Sequence, residues 1–97
     1  MALALAQEAV RQGLDKELNA LERSFLYMPY MHSESRLIHQ QAETLYRDNG
    51  IDDNLKFEVL HRQIIDRFGR YPHRNDILGR VSTPQEKAFL LQPGSKF

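Results

Sequence analysis

Apolar residues recur at spacings of three and four along most of this chain, and the runs that carry them are cut at Gly13, Pro29, Gly50, Gly69, Pro84 and Pro93. That rhythm is the helical period, and no segment alternates apolar and polar residues as a half-buried strand does. The sequence therefore predicts an all-α fold of short helices. Leu3, Ala6 and Val10 share one face of a first helix, which Gly13 ends in a left-handed backbone. A second segment, KELNALERSFLYMPY, carries the stripe Leu18, Leu21, Phe25 and Met28 until Pro29, which removes a donor and disfavours helical geometry for the residue before it, so the helix ends or kinks there. Ser33 is the expected cap of a third helix with the stripe Ile38, Ala42 and Leu45, stopped by Asn49 and Gly50. Asp52 or Asp53 is expected to cap a fourth, from about Asn54 to Phe68, whose stripe is Phe57, Leu60, Ile64 and Phe68 with Ile65 beside it. After a short turn at Pro72, Thr83, Pro84 and Glu86 form a complete N-terminal signature for the last helix: cap, first helical position and capping box. Pro93 and Gly94 stop it.

Helices of this length are not stable alone, so they must pack on one another or on another chain. With 97 residues the chain is one domain, of a size that buries only about 60 to 65% of the surface of its extended form. Nothing resembling a linker, low-complexity tract or repeat divides it.

Charge excludes some classes of partner. Thirteen basic residues balance thirteen acidic ones, so no global field draws nucleic acid or an anionic membrane, and an electrostatic ligand must be recognised locally. The absence of cysteine rules out a disulfide framework, a thiolate zinc site and a cysteine nucleophile, and suits a reducing cytoplasm, the expected location. The apolar run Ala2 to Ala6 has no basic residue before it and is interrupted by Glu8, so neither a secretory signal nor a membrane span is expected.

The chemistry concentrates in IIDRFGRYPHRNDILGR, residues 64–80. Arg67, Arg70, Arg74 and Arg80 surround two glycines, a proline and His73, with Asn75 able to donate or accept. Guanidinium forks match carboxylates and phosphates bidentately, so a loop presenting several suits an anion. The same residues serve equally as helix-end cations and partners of Asp66, Asp76 and nearby glutamates. His61 falls beside Leu60 and Ile64 and reads as a buried imidazole bonded to a carbonyl or carboxylate. His32, Glu34 and His39 lack the i, i+4 pairing of a helical zinc motif, so no metal is expected. His73, next to Arg74, has a cationic neighbour that disfavours its protonation and suits a general base. Phe25, Tyr27, Met28, Tyr30 and Met31 read as core packing, with a ligand or peptide groove as the alternative.

FLYMPYMHSE, DRFGRYPHRNDILGRVSTPQEKAFL and the ending QPGSKF together resemble the second half of a bacterial family known as domain of unknown function nine hundred and twenty-four, and the likeness runs over nearly the whole chain. Its motif positions fall on His32, Ser33 and Glu34, on His61, and on Arg67, Phe68, Gly69, Arg70, Pro72, His73, Arg74, Asn75, Leu78, Gly79, Arg80, Ser82 and Thr83. Met31 stands where many members carry an acidic residue. The resemblance implies a tetratricopeptide-repeat-like array of antiparallel helical hairpins, of which this chain is an incomplete part, and implies no known activity.

An incomplete helical array leaves an apolar face that a partner must cover. A homo-oligomer is expected, with helix exchange as one way to form it. Three functional readings stand: a binding module whose Arg70, His73 and Arg74 loop, with His32 and Glu34, receives an anionic small molecule or peptide; an enzyme with His73 or His61 as acid or base, Glu34 orienting it and the arginines holding a phosphate or carboxylate; and a purely architectural motif. No cofactor is called for.

Overall fold

The computed structural model describes residues 2–93 and Ser95. Among them are six α-helices, two short 3-10 turns and no strand, the all-helical fold that the spacing predicts. Helix α1 (Ala2–Arg11) closes at Gly13, whose φ of 74° is the left-handed backbone that side chains avoid. After a 3-10 turn at Leu14–Glu17, α2 (Ala20–Leu26) starts from a capping box absent from the sequence reading: Asn19 Oδ1 accepts from Glu22 N at 2.9 Å and Glu22 Oε1 from Asn19 N at 3.1 Å. The helix breaks at Tyr27, and Pro29 sits in the first turn of α3 (Met28–Met31).

Two expected caps are displaced. Helix α4 (Arg36–Asn49) is capped by Ser35, whose hydroxyl accepts from Ile38 N at 3.3 Å. Ser33 instead accepts from Ser35 N at 3.1 Å and shapes the turn before it. Helix α5 (Asp52–Phe68) starts after Ile51 with no side-chain cap. Asp52 and Asp53 lie in its first turn, where their charges complement the positive helix end. Gly50 and Gly69 close α4 and α5 as expected, with φ of 80° and 72°. Helix α6 (Pro84–Leu90) carries the expected Thr83–Glu86 capping box and gives way at Leu91, ahead of Pro93. Gly94 lies outside the described residues.

A connection of two residues, Gly50 and Ile51, joins α4 to α5, and these two helices form the largest packing contact of the fold. Helices α2 and α3 lie on α4, α1 lies on α3, and α6 meets the turn Pro72–Arg74. The main core is Ala6, Tyr27, Tyr30, Met31, Ala42 and Tyr46, with the Tyr27 ring edge-on to Tyr30 at 6.4 Å and to Tyr46 at 5.7 Å. A smaller one joins Ile64, Ile65 and Tyr71 to Phe68 and Phe89.

The expected stripes of α1 and α4 face the core, but the buried faces of α2, α3 and part of α5 are not those expected from spacing. In α2 and α3 the core takes Ser24, Tyr27, Tyr30 and Met31, while Leu21, Phe25 and Met28 face outward. In α5 it takes Glu58, His61, Ile64 and Ile65, while Phe57 and Leu60 are exposed. In α4 His39 and Tyr46 join Ala42 inside, with Ile38 and Leu45 half-buried. These helices carry apolar residues on two sides, and this chain covers one.

Candidate functional site

The short connection that follows Gly69 brings Tyr71 back against α3, α4 and α5, where the residue is fully buried. Its amide donates to Glu34 Oε2 at 2.6 Å and its hydroxyl to the Met31 carbonyl at 2.6 Å. The chain's four histidines gather about that ring. His61 and His39 meet it edge-on at 5.7 and 6.1 Å, His73 lies tilted at 5.7 Å, and His32 meets His61 edge-on at 5.6 Å.

His39 is the innermost. Its Nε2 is 2.6 Å from the Ser33 carbonyl and 3.0 Å from the Tyr71 hydroxyl, and its Nδ1 is 2.9 Å from Glu58 Oε2. A carbonyl only accepts, so Nε2 carries a proton, and Nδ1 faces the Glu58 carboxyl. Burial raises the Glu58 carboxyl above its ordinary range, against the pull of His39. Both side chains are 0% exposed, so this carboxyl–imidazole pair holds α4 to α5 and does not face solvent. Sequence reasoning missed it. The signal was the short connection at Gly50 and Ile51: with α5 packed back on α4, His39 and Glu58 lie about one helical turn apart along the two axes, within reach of their side chains.

His61 matches expectation. It is 4% exposed, and its Nδ1 donates to the Phe57 carbonyl at 2.6 Å. Burial, with His32, His39 and His73 nearby, takes its pKa down to about 4, so the ring is neutral at pH 7.

The arginines divide into two pairs with different surroundings. Arg80 grips Glu34 bidentately at 3.0 and 3.1 Å and reaches the Tyr71 carbonyl at 3.3 Å. Burial acts to raise the Glu34 carboxyl, but the Arg80 and Tyr71 hydrogen bonds outweigh it and leave the group below its ordinary value. Arg70 grips Glu86 at 2.9 and 2.7 Å and the Val81 carbonyl at 2.9 Å. Glu86 also accepts from Thr83 N at 2.9 Å and Asn75 Nδ2 at 3.4 Å. The Arg70 guanidinium, helped by these donors, takes the Glu86 carboxyl down to about 2. Asn75, buried, donates to Ser82 Oγ at 3.0 Å and accepts from Arg80 N at 2.8 Å. Arg74 instead lies 4.8 Å over the Tyr71 ring, and Arg67 lies 4.7 Å over Phe68 and 5.8 Å over Phe89.

The nine residues singled out by sequence therefore do not converge on one anion. Arg70, Arg80, Glu34 and Asn75 stitch the 70–83 loop to the turn before α4 and to α6. His73 and Arg74 pack on Tyr71. His32 and His61 end a groove of about 480 Å³ between α2–α3 and α5, walled by Leu21, Phe25, Met28 and Phe57 and floored by Met31 and Tyr46. Arg67 borders a second groove, of about 470 Å³, between α5 and α6, lined by Leu60, Gln63, Ile64, Phe68, Phe89 and Pro93. Among the described residues no group of three His, Asp or Glu side chains is placed to hold a metal, and no helix is long and apolar enough to cross a membrane.

A solved structure of a protein of unknown function from Agrobacterium tumefaciens is similar to this chain, with a TM-score of 0.86 and 40% sequence identity over 92% of this chain and 50% of that one. This chain thus spans about half the length of that relative. No curated protein matches the sequence. The family model described as "Bacterial protein of unknown function (DUF924)" matches residues 1–94, and the chain belongs to that family.

Proposed function

We propose that this chain is a noncatalytic interaction module, a hairpin pair of a tetratricopeptide-repeat-like array, that associates with a second copy of itself through the outer face of α2 and the start of α5. One observation carries the reading: Leu21, Phe25, Met28 and Phe57 line a single groove and are 63%, 62%, 43% and 54% exposed. Single exposed hydrophobes are ordinary on a protein surface, but a contiguous set of this kind marks an interaction site.

The size of the molecule agrees. Its accessible surface is 6357 Å², whereas a compact monomer of this mass has about 5,800 Å². Its radius of gyration is 14.3 Å, against about 12.5 Å for a compact domain of this length. An excess on the order of 500 Å² approaches one partner's share of a small interface. In a hairpin array each unit covers its apolar face with the next, and a second copy of this chain offers an apolar face of the same kind. The balanced charge leaves two copies without net repulsion.

The anion-binding and acid–base readings have less support, because the Arg70 and Arg80 guanidinium groups already hold Glu86 and Glu34, His61 is buried with Nδ1 donating to the Phe57 carbonyl, and the His73 ring packs on Tyr71. Sedimentation velocity over a concentration series tests the proposal. The expected result is a reversible dimer or larger assembly that Phe25→Glu and Phe57→Glu, both at exposed positions, dissociate without loss of helical signal. A folded monomer at every concentration would refute it.

A further inference from the structure

The groove between α5 and α6 lies apart from the face of α2, and it differs in carrying a cation. We propose that it is a binding site for an aliphatic monocarboxylate, with the carboxyl group on Arg67 and the hydrocarbon chain along Leu60, Ile64, Phe68 and Phe89. At about 470 Å³ the groove falls within the range of small-molecule sites. Its lining is aliphatic and aromatic apart from Gln63 and Arg67, the composition of a site that takes an apolar body with one polar end. From Leu60 to Phe68 the helix rises about 12 Å, close to the length of a decanoyl chain.

Arg67, like Arg74, stacks on an aromatic ring and is not among the arginines that the fold pairs with a carboxylate. Arg11, Arg47, Arg62, Arg70 and Arg80 each pair with a glutamate. Among the described residues Arg67 has no carboxylate partner, and its guanidinium is held over Phe68 and Phe89. Stacking of this kind occupies the face of the guanidinium and leaves its N–H edge for bidentate hydrogen bonds, while limiting the side-chain freedom lost on binding. The site also selects by charge. Arg67 lies in the last turn of α5, whose negative dipole end offsets part of its charge. A single carboxylate is matched there, and a phosphate dianion is not.

The test is an amide NMR titration of the full chain with decanoate, kept below its micelle-forming concentration, and with decanol, kept below its solubility limit, beside inorganic phosphate. Decanoate is expected to shift the amides of Leu60, Ile64, Arg67, Phe68 and Phe89 and to bind at least about tenfold more tightly than decanol, since a hydrogen bond to a charged group is worth about that factor. Phosphate is expected to leave these amides in place. Arg67→Gln, at an exposed position, should abolish the preference for decanoate while sparing decanol, and Phe89→Ala should weaken both. Equal affinity for the two probes, no binding, an unaltered preference in Arg67→Gln, or shifts confined to the Leu21–Phe57 groove would each overturn the proposal.

Discussion

Glu86→Gln isolates the charge at the junction of the 70–83 loop with α6. The carboxylate is 2% exposed and accepts from Arg70, Thr83 and Asn75. Glutamine has nearly the same shape and can still close the capping box, so the substitution removes charge while keeping the cap. The displacement of the Glu86 pKa from 4.5 to about 2 corresponds to about 3 kcal/mol of stability above the carboxylate range. The Arg70 side chain is 28% exposed, and solvent there screens part of the attraction, leaving about 2 kcal/mol. For a domain of this size that is a fall of about 8 to 16 °C in Tm, read by far-UV circular dichroism at neutral pH. The sign of the pH dependence follows from the shift. Because the folded state holds the carboxyl below its unfolded pKa, the unfolded chain binds more protons between about 2 and 4.5, so the advantage over Glu86→Gln is complete above that window and lost as pH falls through it. A variant that melts within about 2 °C of the parent at neutral pH, or a difference that persists unchanged on acidification, would refute the reasoning.

Tyr71→Phe removes the donor to the buried Met31 carbonyl and is expected to cost about 1 to 3 kcal/mol in urea unfolding. Gly69→Ala meets no atom within 4 Å of the new Cβ, so any loss reports the backbone at φ 72° alone; about 1 to 2 kcal/mol is expected by the same measurement. His61 titrates in the opposite sense from a histidine that gains a partner. With its folded pKa at about 4 against 6.5 unfolded, the unfolded chain binds the proton first, and stability falls as pH drops from about 6.5 to about 4. Urea midpoints across that range should decline more steeply for the parent than for His61→Gln, and parallel slopes would exclude His61 as the cause.

Much of the local structure was legible because its causes lie within one turn of chain. Gly13, Gly50 and Gly69 end helices since only glycine takes a positive φ cheaply, and Thr83 and Glu86 start α6 through bonds three residues long. The displaced cap at Ser35 marks the limit: Ser33 and Ser35 are chemically equal, and which hydroxyl lies under the first turn depends on how the chain arrives from α3. His61 was also legible, as a polar ring beside an apolar stripe that reaches its own helix's Phe57 carbonyl. Most of the candidate site was not. The carboxylates that hold Arg80 and Arg70 lie 46 and 16 residues away, and spacing cannot say whether an arginine in a loop has found one.

By itself the sequence determined the class of fold and where its helices begin and end, because helical period, caps and left-handed glycines are decided by neighbours in the chain. Only the tertiary structure decided which side of each helix is inside. Helices α2 and α5 carry apolar residues on two faces, so pattern alone leaves two ways to turn them. The tyrosines that pack edge-on around Tyr27, and the His39–Glu58 and Glu34–Arg80 pairs, are satisfied in the turn observed. That choice leaves Leu21, Phe25, Met28 and Phe57 on the surface and separates Arg67 from the arginines that the fold uses as clamps, since a buried carboxylate must be matched by a cation and an exposed apolar side chain need not be matched at all.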